Sequence, residues 1–239
     1  FLSLDSNNAQ GEYYLTDIVK WAISQGLKAQ SYILENNEES FGINSKAHLA
    51  EAAKILKNRV INRLLEDGVT IVDPETTFIS PETEIAPDVI IYPCTYIEGK
   101  NIIGKDCKIG PFARLRGGVE LGEGVKIGNF VEIKNSKIKN HTNVSHLSYI
   151  GDSELGSNVN IGAGTITANY NHATKEKFRT VVKDGASTGS NSVLVAPVEL
   201  GEQSSIGAGT VVSKDIPAFA LGLTRAPLKV FADWFKKLK

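Results

Sequence analysis

Residues 79–133, ISPETEIAPDVIIYPCTYIEGKNIIGKDCKIGPFARLRGGVELGEGVKIGNFVEI, carry Ile or Leu at every sixth position. They are Ile79, Ile85, Ile91, Ile97, Ile103, Ile109, Leu115, Leu121, Ile127 and Ile133. Two residues before each stands a mostly small or β-branched residue: Thr77, Thr83, Val89, Thr95, Asn101, Cys107, Ala113, Val119, Val125 and Val131. A helix repeats about every 3.6 residues and a strand about every 2. A period of six fits neither and is the mark of a parallel β-helix built from hexapeptides. Three hexapeptides make one triangular coil of roughly 18 residues, with the aliphatic side chain filling the inside of each face. Residues one coil apart then stack roughly 4.8 Å from each other, the spacing of paired strands.

Beyond 133 the spacing slips to Ile138, Val144, Ile150, Leu155 and Ile161, so five-residue steps interrupt the sixes. A polar stretch follows, NYNHATKEKFR (169–179), which cannot fill a coil interior. A second register then runs Val182, Thr188, Leu194, Leu200, Ile206, Val212, with Thr188 its one misfit. Its minus-two positions are again small: Thr180, Ala186, Ser192, Val198, Ser204 and Thr210. The simplest reading is one solenoid from about 77 to 213 with 168–179 ejected as a loop. Loops thrown from a regular solenoid tend to lie on its binding face; a tolerated surface insertion is the plainer alternative.

The net charge of −1 over 239 residues gives no reason to expect nucleic acid as a partner. The terminal Lys236, Lys237 and Lys239 read as a solvated end. No apolar run of about 18 residues predicts a membrane span, and no secretory signal opens the chain. Cys94 and Cys107 lack a metal-binding spacing. Cys107 falls in the inward row and reads as a core filler, which suits a reducing cytoplasm. The chain has no Met and starts at Phe1, which suggests part of a longer protein. Residues 15–25 predict a helix ended by Gly26. Ser45 predicts the N-cap of a longer helix over 46–67, with Leu49, Ala53, Leu56, Val60 and Leu64 on one face and Gly68 as its stop. That helix would cover the first coil, whose strand edges are otherwise bare. At the far end Pro227 predicts a short helix with Leu228, Phe231, Phe235 and Leu238 on one face.

The coil geometry brings chemistry together. Arg116 and Lys134 follow inward positions and are 18 apart, so they stack on one face, where two cations repel unless an anion such as phosphate lies between them. The plainer reading is two solvated cations splayed apart. His146, in HLSYIGD, lies 12 residues beyond Lys134 and so two faces away; it could meet the cations across a subunit interface. It is the side chain best poised to take a proton near neutral pH. Ser190 and Ala208, also 18 apart, lie among Gly189, Gly207 and Gly209 in a track of small residues along which a thin ligand could lie.

IGPFARLRGG, GNFVEIK, HLSYIGD, NVNIGAGTITANY and LVAPVELG together resemble the acetyltransferase half of the bacterial bifunctional N-acetylglucosamine-1-phosphate uridylyltransferase / glucosamine-1-phosphate N-acetyltransferase family. The resemblance covers nearly all of 68–239; NAQGEYYLTDI and Gly42–Asn44 resemble the end of the uridylyltransferase half, whose Gly-rich nucleotide loop is absent. It implies a mainly β fold: a left-handed parallel β-helix (68–239), preceded by a uridylyltransferase remnant (1–46) and a linker helix (47–67), and ended by a short helix. It implies acetyl transfer from acetyl-CoA to glucosamine 1-phosphate, giving N-acetylglucosamine 1-phosphate for UDP-N-acetylglucosamine synthesis, in a cytoplasmic homotrimer with sites shared between subunits.

By motif, His146 would be the general base. Arg116, Lys134, Tyr149 and Asn160 would hold the sugar phosphate, and Ala163, Asn169, Tyr170, Ser190, Ala208 and Arg225 would line the acetyl-CoA site. Asn44 would match a metal ligand of an intact uridylyltransferase site only; Mg belongs to that half, and no metal is expected for acetyl transfer. The chain departs from the family at Gly117, where Pro is usual, and in a loop two residues longer, which leaves its lysine open between Lys175 and Lys177. The rivals are another hexapeptide acyltransferase, a zinc carbonic-anhydrase-like enzyme and a non-enzymatic trimeric scaffold. His141 and His146 have a zinc-family spacing, but the third position falls on Lys105.

Overall fold

A computed structural model describes residues 6–234 and 236, and these fall into two compact units, Phe1–Leu49 and Ala50–Lys239. The first carries α1 (Asp17–Ser24), none of whose residues is buried. Most of α2 (Lys46–Glu66) belongs to the second. Ser45 caps α2 as expected, its Oγ accepting from His48 N–H at 3.1 Å. Gly68, at φ +88°, ends the helix, and Val69 N–H returns to Leu64 C=O at 2.9 Å.

From Val69 onward the chain winds into a triangular solenoid. Among the described residues its three parallel sheets hold nine, eight and seven strands. Face 1 runs from Thr70–Ile71 to Leu221–Gly222, face 2 from Phe78–Ile79 to Val211–Val212, and face 3 from Glu84–Ile85 to Val198–Leu200. The two inward rows read from the sequence form the core. Ile91, Ile109, Leu115 and Ile133 are wholly buried, as are Val89, Cys107 and Val125 from the minus-two row; Ile85 alone of the sixth-residue row is only partly buried. Each buried aliphatic side chain contributes about 1.5–3 kcal/mol relative to exposure. Burial pushes the Cys107 thiol up to about 11, which leaves it inert as a core filler. The misfit Thr188 also points inward, and its Oγ1 is satisfied by Gly162 N–H and Thr165 Oγ1, each at 3.0 Å.

Register explains the broken spacing. Partners are 20 apart at Thr70↔Ile90, 18 apart from Phe78↔Tyr96 to Arg114↔Glu132, 17 apart at Glu132↔Tyr149 and Lys137↔Glu154, and 27 apart at Ser153↔Thr180. Both five-residue steps, Ile133 to Ile138 and Ile150 to Leu155, fall at the corner between faces 2 and 3. The ejected loop leaves from that same corner, between Ile166–Ala168 and Thr180–Val182. The loop folds on itself through a Tyr170↔Lys177 antiparallel bridge and a 2.8 Å bond from Phe178 N–H to Asn169 C=O.

Two expectations at the flanks need correction. On α2 the buried residues are Val60, Ile61 and Leu64, which join Val69, Ile71 and Ile79 in one core, while Leu49 and Leu56 stay about half exposed. The helix thus covers the first coil with its last turns only. Residues 223–230 have no regular structure, and no α-helix follows Pro227 among the described residues. Leu228 and Phe231 are 90% and 68% exposed. A short helix is marginal when its apolar face packs on nothing. Phe235, Lys237, Leu238 and Lys239 lie outside the described residues.

Candidate active site

Two groups of side chains stand on the outside of the solenoid. The first is a column at the end of face 1. Asn129 and His146 are Cα partners, and Asn129 Oδ1 lies 2.9 Å from His146 Nδ1. Extending the registers Val144↔Ile161, Ile161↔Thr188 and Thr188↔Ile206 by two residues places Ala163, Ser190 and Ala208 in the same column. Backbone bonds fix that extension: Gly164 N–H to His146 C=O at 3.1 Å, Asn191 N–H to Ala163 C=O at 2.7 Å, and Gly209 N–H to Ser190 C=O at 2.8 Å. His146 is exposed, so its ring heads a track of small residues. Asn160 lies on the same face one strand beyond Asn143, its Cα partner. The corners after Ala163, Ser190 and Ala208 turn through Gly164, Asn191 and Gly209, but those after Asn129 and His146 turn through bulky residues of positive φ, Phe130 and Leu147. Phe112 is another, and its ring stacks on that of Phe130 at 5.1 Å. Such residues avoid this backbone region unless packing enforces it.

The second group stands on face 2 beside the corner that carries the short steps and the loop. Glu132↔Arg114 and Ile133↔Leu115 put Lys134 directly over Arg116. Arg116 is not splayed into solvent: its guanidinium meets Glu132 Oε1 at 2.9 Å, and Glu132 raises the Arg116 pKa. Lys134 is held below the ordinary lysine range, first by the Lys177 ammonium within hydrogen-bonding reach and then by Arg116, with Asp152 opposing. Of the two open loop lysines, Lys177 is therefore the one that joins the cations. Tyr149 lies over Gly151, whose missing side chain makes room: a Cβ there would stand 2.4 Å from Tyr149 Oη and 2.9 Å from Asn169 Nδ2. Asn169 is buried and donates to Asp152 Oδ2 at 2.5 Å. Tyr170 packs edge-on against His172 with ring centroids 5.0 Å apart.

Arg116, Lys134 and Lys177 thus converge with the carboxylates of Glu98, Glu132 and Asp152 nearby. On face 1 the His146 ring has one nitrogen, Nδ1, engaged by Asn129. Within one chain the two groups stand on different faces, and His146 has no hydrogen bond to Arg116 or Lys134 among the described residues. Arg225 is exposed in the segment after the last coil, and Asn44 lies in the first unit, its N–H 3.3 Å from His48 Nδ1. Sequence reasoning missed Glu132 and Asn129. The described residues contain no cluster of three His, Cys, Asp or Glu that could hold a metal, and no helix long and apolar enough to cross a membrane.

Residues 102–135 match the model of the bacterial transferase hexapeptide (six repeats), and 184–214 that of the hexapeptide repeat of succinyl-transferase. A bifunctional protein GlmU from Desulfitobacterium hafniense is 40% identical over 99% of this chain and 59% of its own length. One from Fervidobacterium nodosum is 43% identical over 98% of this chain and 58% of its own. This chain thus spans less than two thirds of those relatives. Among solved structures, it is similar to the Francisella novicida UDP-N-acetylglucosamine acyltransferase at 19% identity and a TM-score of 0.45, over 66% of this chain and 63% of that one. The similarity to the GlmU proteins runs along almost the whole of this chain, both hexapeptide matches lie inside it, and the chain answers to only part of those longer proteins.

Proposed function

We propose that this chain transfers acetyl from acetyl-CoA to the 2-amine of glucosamine 1-phosphate. The observation that carries the reading is the pairing of an anion cradle on face 2 with a histidine-headed track of small residues on face 1. In the reaction, the neutral sugar amine attacks the thioester carbonyl and His146 Nε2 takes the proton its nitrogen loses. The tetrahedral intermediate collapses, the C–S bond breaks, and the imidazolium returns the proton to the departing thiolate. Arg116 and Lys134, with Lys177, hold the phosphate and so aim the amine; Tyr149 and Asn160 orient the sugar. Acetyl-CoA lies along Ala163, Ser190 and Ala208, with Asn169, Tyr170 and Arg225 at its edges. No protein-bound metal takes part in these steps.

The product, N-acetylglucosamine 1-phosphate, would feed UDP-N-acetylglucosamine synthesis for peptidoglycan and lipopolysaccharide in the cytoplasm. Residues 1–46 would be a uridylyltransferase remnant, 47–67 the linker, and 68–239 the acetyltransferase domain. Because the two groups stand on different faces, a complete site needs residues from more than one chain, and a homotrimer supplies them.

The test is thiol release from acetyl-CoA with and without glucosamine 1-phosphate, beside light scattering for a mass near three times 25.8 kDa. Release that depends on the sugar phosphate is expected. Release with another amine only would mark a different hexapeptide acyltransferase, and no acetyl-CoA binding a scaffold or, with bound zinc, a hydrolyase. Mixed and refolded His146→Ala and Arg116→Ala chains should regain part of the activity, and no recovery would overturn the shared site.

A further inference from the structure

The side chain that faces the proposed base has no role so far. Asn129 Oδ1 is the atom 2.9 Å from His146 Nδ1. With the accepting amide oxygen facing the ring, the matching neutral imidazole is the tautomer that donates from Nδ1 and keeps the Nε2 lone pair. We infer that Asn129 is a positioning residue for His146, selecting the imidazole tautomer with a free Nε2 and fixing the ring at the head of the small-residue track. This rests on the acetyl-transfer reading, in which Nε2 takes the amine proton.

The backbone is shaped to make this contact. Strands Lys108–Ile109 and Asn160–Ile161 on face 1 have two residues each, but Lys126–Asn129 and Asn143–His146 between them have four. The ladder is thus lengthened where Asn129 meets His146. Gly128 permits the approach, because a Cβ there would run into the Ser145 carbonyl. Leu147 N–H then bonds Asn129 C=O at 3.0 Å, pinning both residues beyond the pair. Asn129 is followed by Phe130 and His146 by Leu147, each at positive φ, at +55° and +51°. Bulky residues are strained in that region and persist there where the surroundings over-determine them. Two such turns, one coil apart, set the ends of the two strands that carry the pair.

Long-range proton–nitrogen spectra of the ¹⁵N-labelled full chain test the inference, with His146 assigned by its loss in His146→Gln. The wild type and Asn129→Asp, whose carboxylate can only accept, should both show Nδ1–H. Asn129→Ala should shift toward Nε2–H, the form imidazole prefers in water. In thiol-release kinetics Asn129→Ala should lose on the order of 10–100-fold in kcat while KM for the sugar phosphate stays within about twofold, and Asn129→Asp should recover most of the loss. Nε2–H in the wild type would overturn the assignment, since the amide would then be donating. So would an Asn129→Ala chain that keeps both the tautomer and kcat. If the chain transfers no acetyl group, the acetyl-transfer reading fails, and the spectra still decide what Asn129 does; if Asn129→Ala does not fold, the wild-type and Asn129→Asp spectra decide it.

Discussion

Replacing Gly151 by Ala separates the geometry of the sugar site from the stability of the coil. Gly151 lies in the face 2 strand Tyr149–Gly151 outside the positive-φ region, so alanine fits the backbone there. The obstacle is what covers it. The new Cβ would meet Tyr149 Oη at 2.4 Å, Tyr149 Cζ at 2.7 Å and Asn169 Nδ2 at 2.9 Å, where ordinary contact begins at 3.4 Å. The phenol must therefore swing away by about 1.0 Å, the difference between 3.4 and 2.4 Å, and the Asn169 amide must shift beside Asp152. These are the ends of side chains rather than backbone, so the coil itself need not open. Alanine gains about 0.4–1 kcal/mol through the unfolded chain, which offsets much of the cost of moving them, and the melting temperature should stay within about 4 °C of wild type. A displacement of ~1 Å in groups that position substrate costs up to ~100-fold in turnover. Thiol release measured with both substrates varied, alongside a thermal melt, should then give a large kinetic loss in a stable protein. Wild-type kinetics in a stable Gly151→Ala chain would refute the placement of Tyr149 and Asn169 in the site, and a fall of more than about 10 °C would refute the claim that side-chain ends absorb the clash.

His146→Ala should lower turnover about 10²–10⁴-fold, the usual contribution of a general base, and near-normal turnover in a folded chain would remove it from that role. Lys134 is held below the ordinary lysine range chiefly by Lys177, so it sheds its proton at a lower pH than a free lysine, and KM for the sugar phosphate should climb from that lower pH upward. In Lys177→Met that limb should move to higher pH; by the same sign, the repulsion that destabilises the folded chain is present while Lys134 is charged and fades as pH rises through its lowered folded pKa. An unmoved limb in KM against pH would refute the coupling. Ile133, wholly buried between its partners Leu115 and Ile150, should cost about 2–5 kcal/mol as Ile133→Ala in denaturant unfolding; a loss below about 1 kcal/mol would mean that neighbouring coils close the cavity.

What the sequence disclosed, and what it hid, follows from which physical constraint each feature obeys. The inward rows were legible because a triangular coil demands an aliphatic residue at one fixed point of each face, and Ile79 to Ile133 meet that demand without a gap. Arg116 over Lys134 followed from the same 18-residue stacking. Glu132 was within reach of that rule, since it stacks on Arg114 and so comes beside Arg116, but outward rows have no periodic composition to draw the eye. Asn129 was hidden for another reason. The five-residue step from Ile133 to Ile138 shortens the coil, so its partner His146 is 17 residues away rather than 18, and 18-residue arithmetic pairs it with Leu147 instead. The helix expected after Pro227 failed because its apolar spacing was read correctly while the surface to receive it is missing from a single chain, where Leu228 stays 90% exposed. The loop could be foreseen from its polarity, but its fold back through Tyr170 and Lys177 depends on pairing that no period encodes, and that pairing decides which lysine reaches Lys134.

Both five-residue steps and the loop share the corner beside Lys134, Asp152 and Asn169, while the coils between Phe78 and Glu132 keep their six-residue rhythm. A hexapeptide coil left regular would stack corners of one shape. Removing one residue from each of two successive coils, and adding a loop to the next, lets Asn135, Asp152 and Asn169 converge: Asp152 accepts from Asn135 at 2.6 Å and from Asn169 at 2.5 Å. That carboxylate network braces the corner next to the stacked cations, where like charges would otherwise push the coils apart. The same shortening sets the 17-residue register that brings Asn129 opposite His146. One pair of deletions thus shapes both the anion cradle and the base, which ties the irregularity of this solenoid to its proposed chemistry rather than to tolerance of surface change.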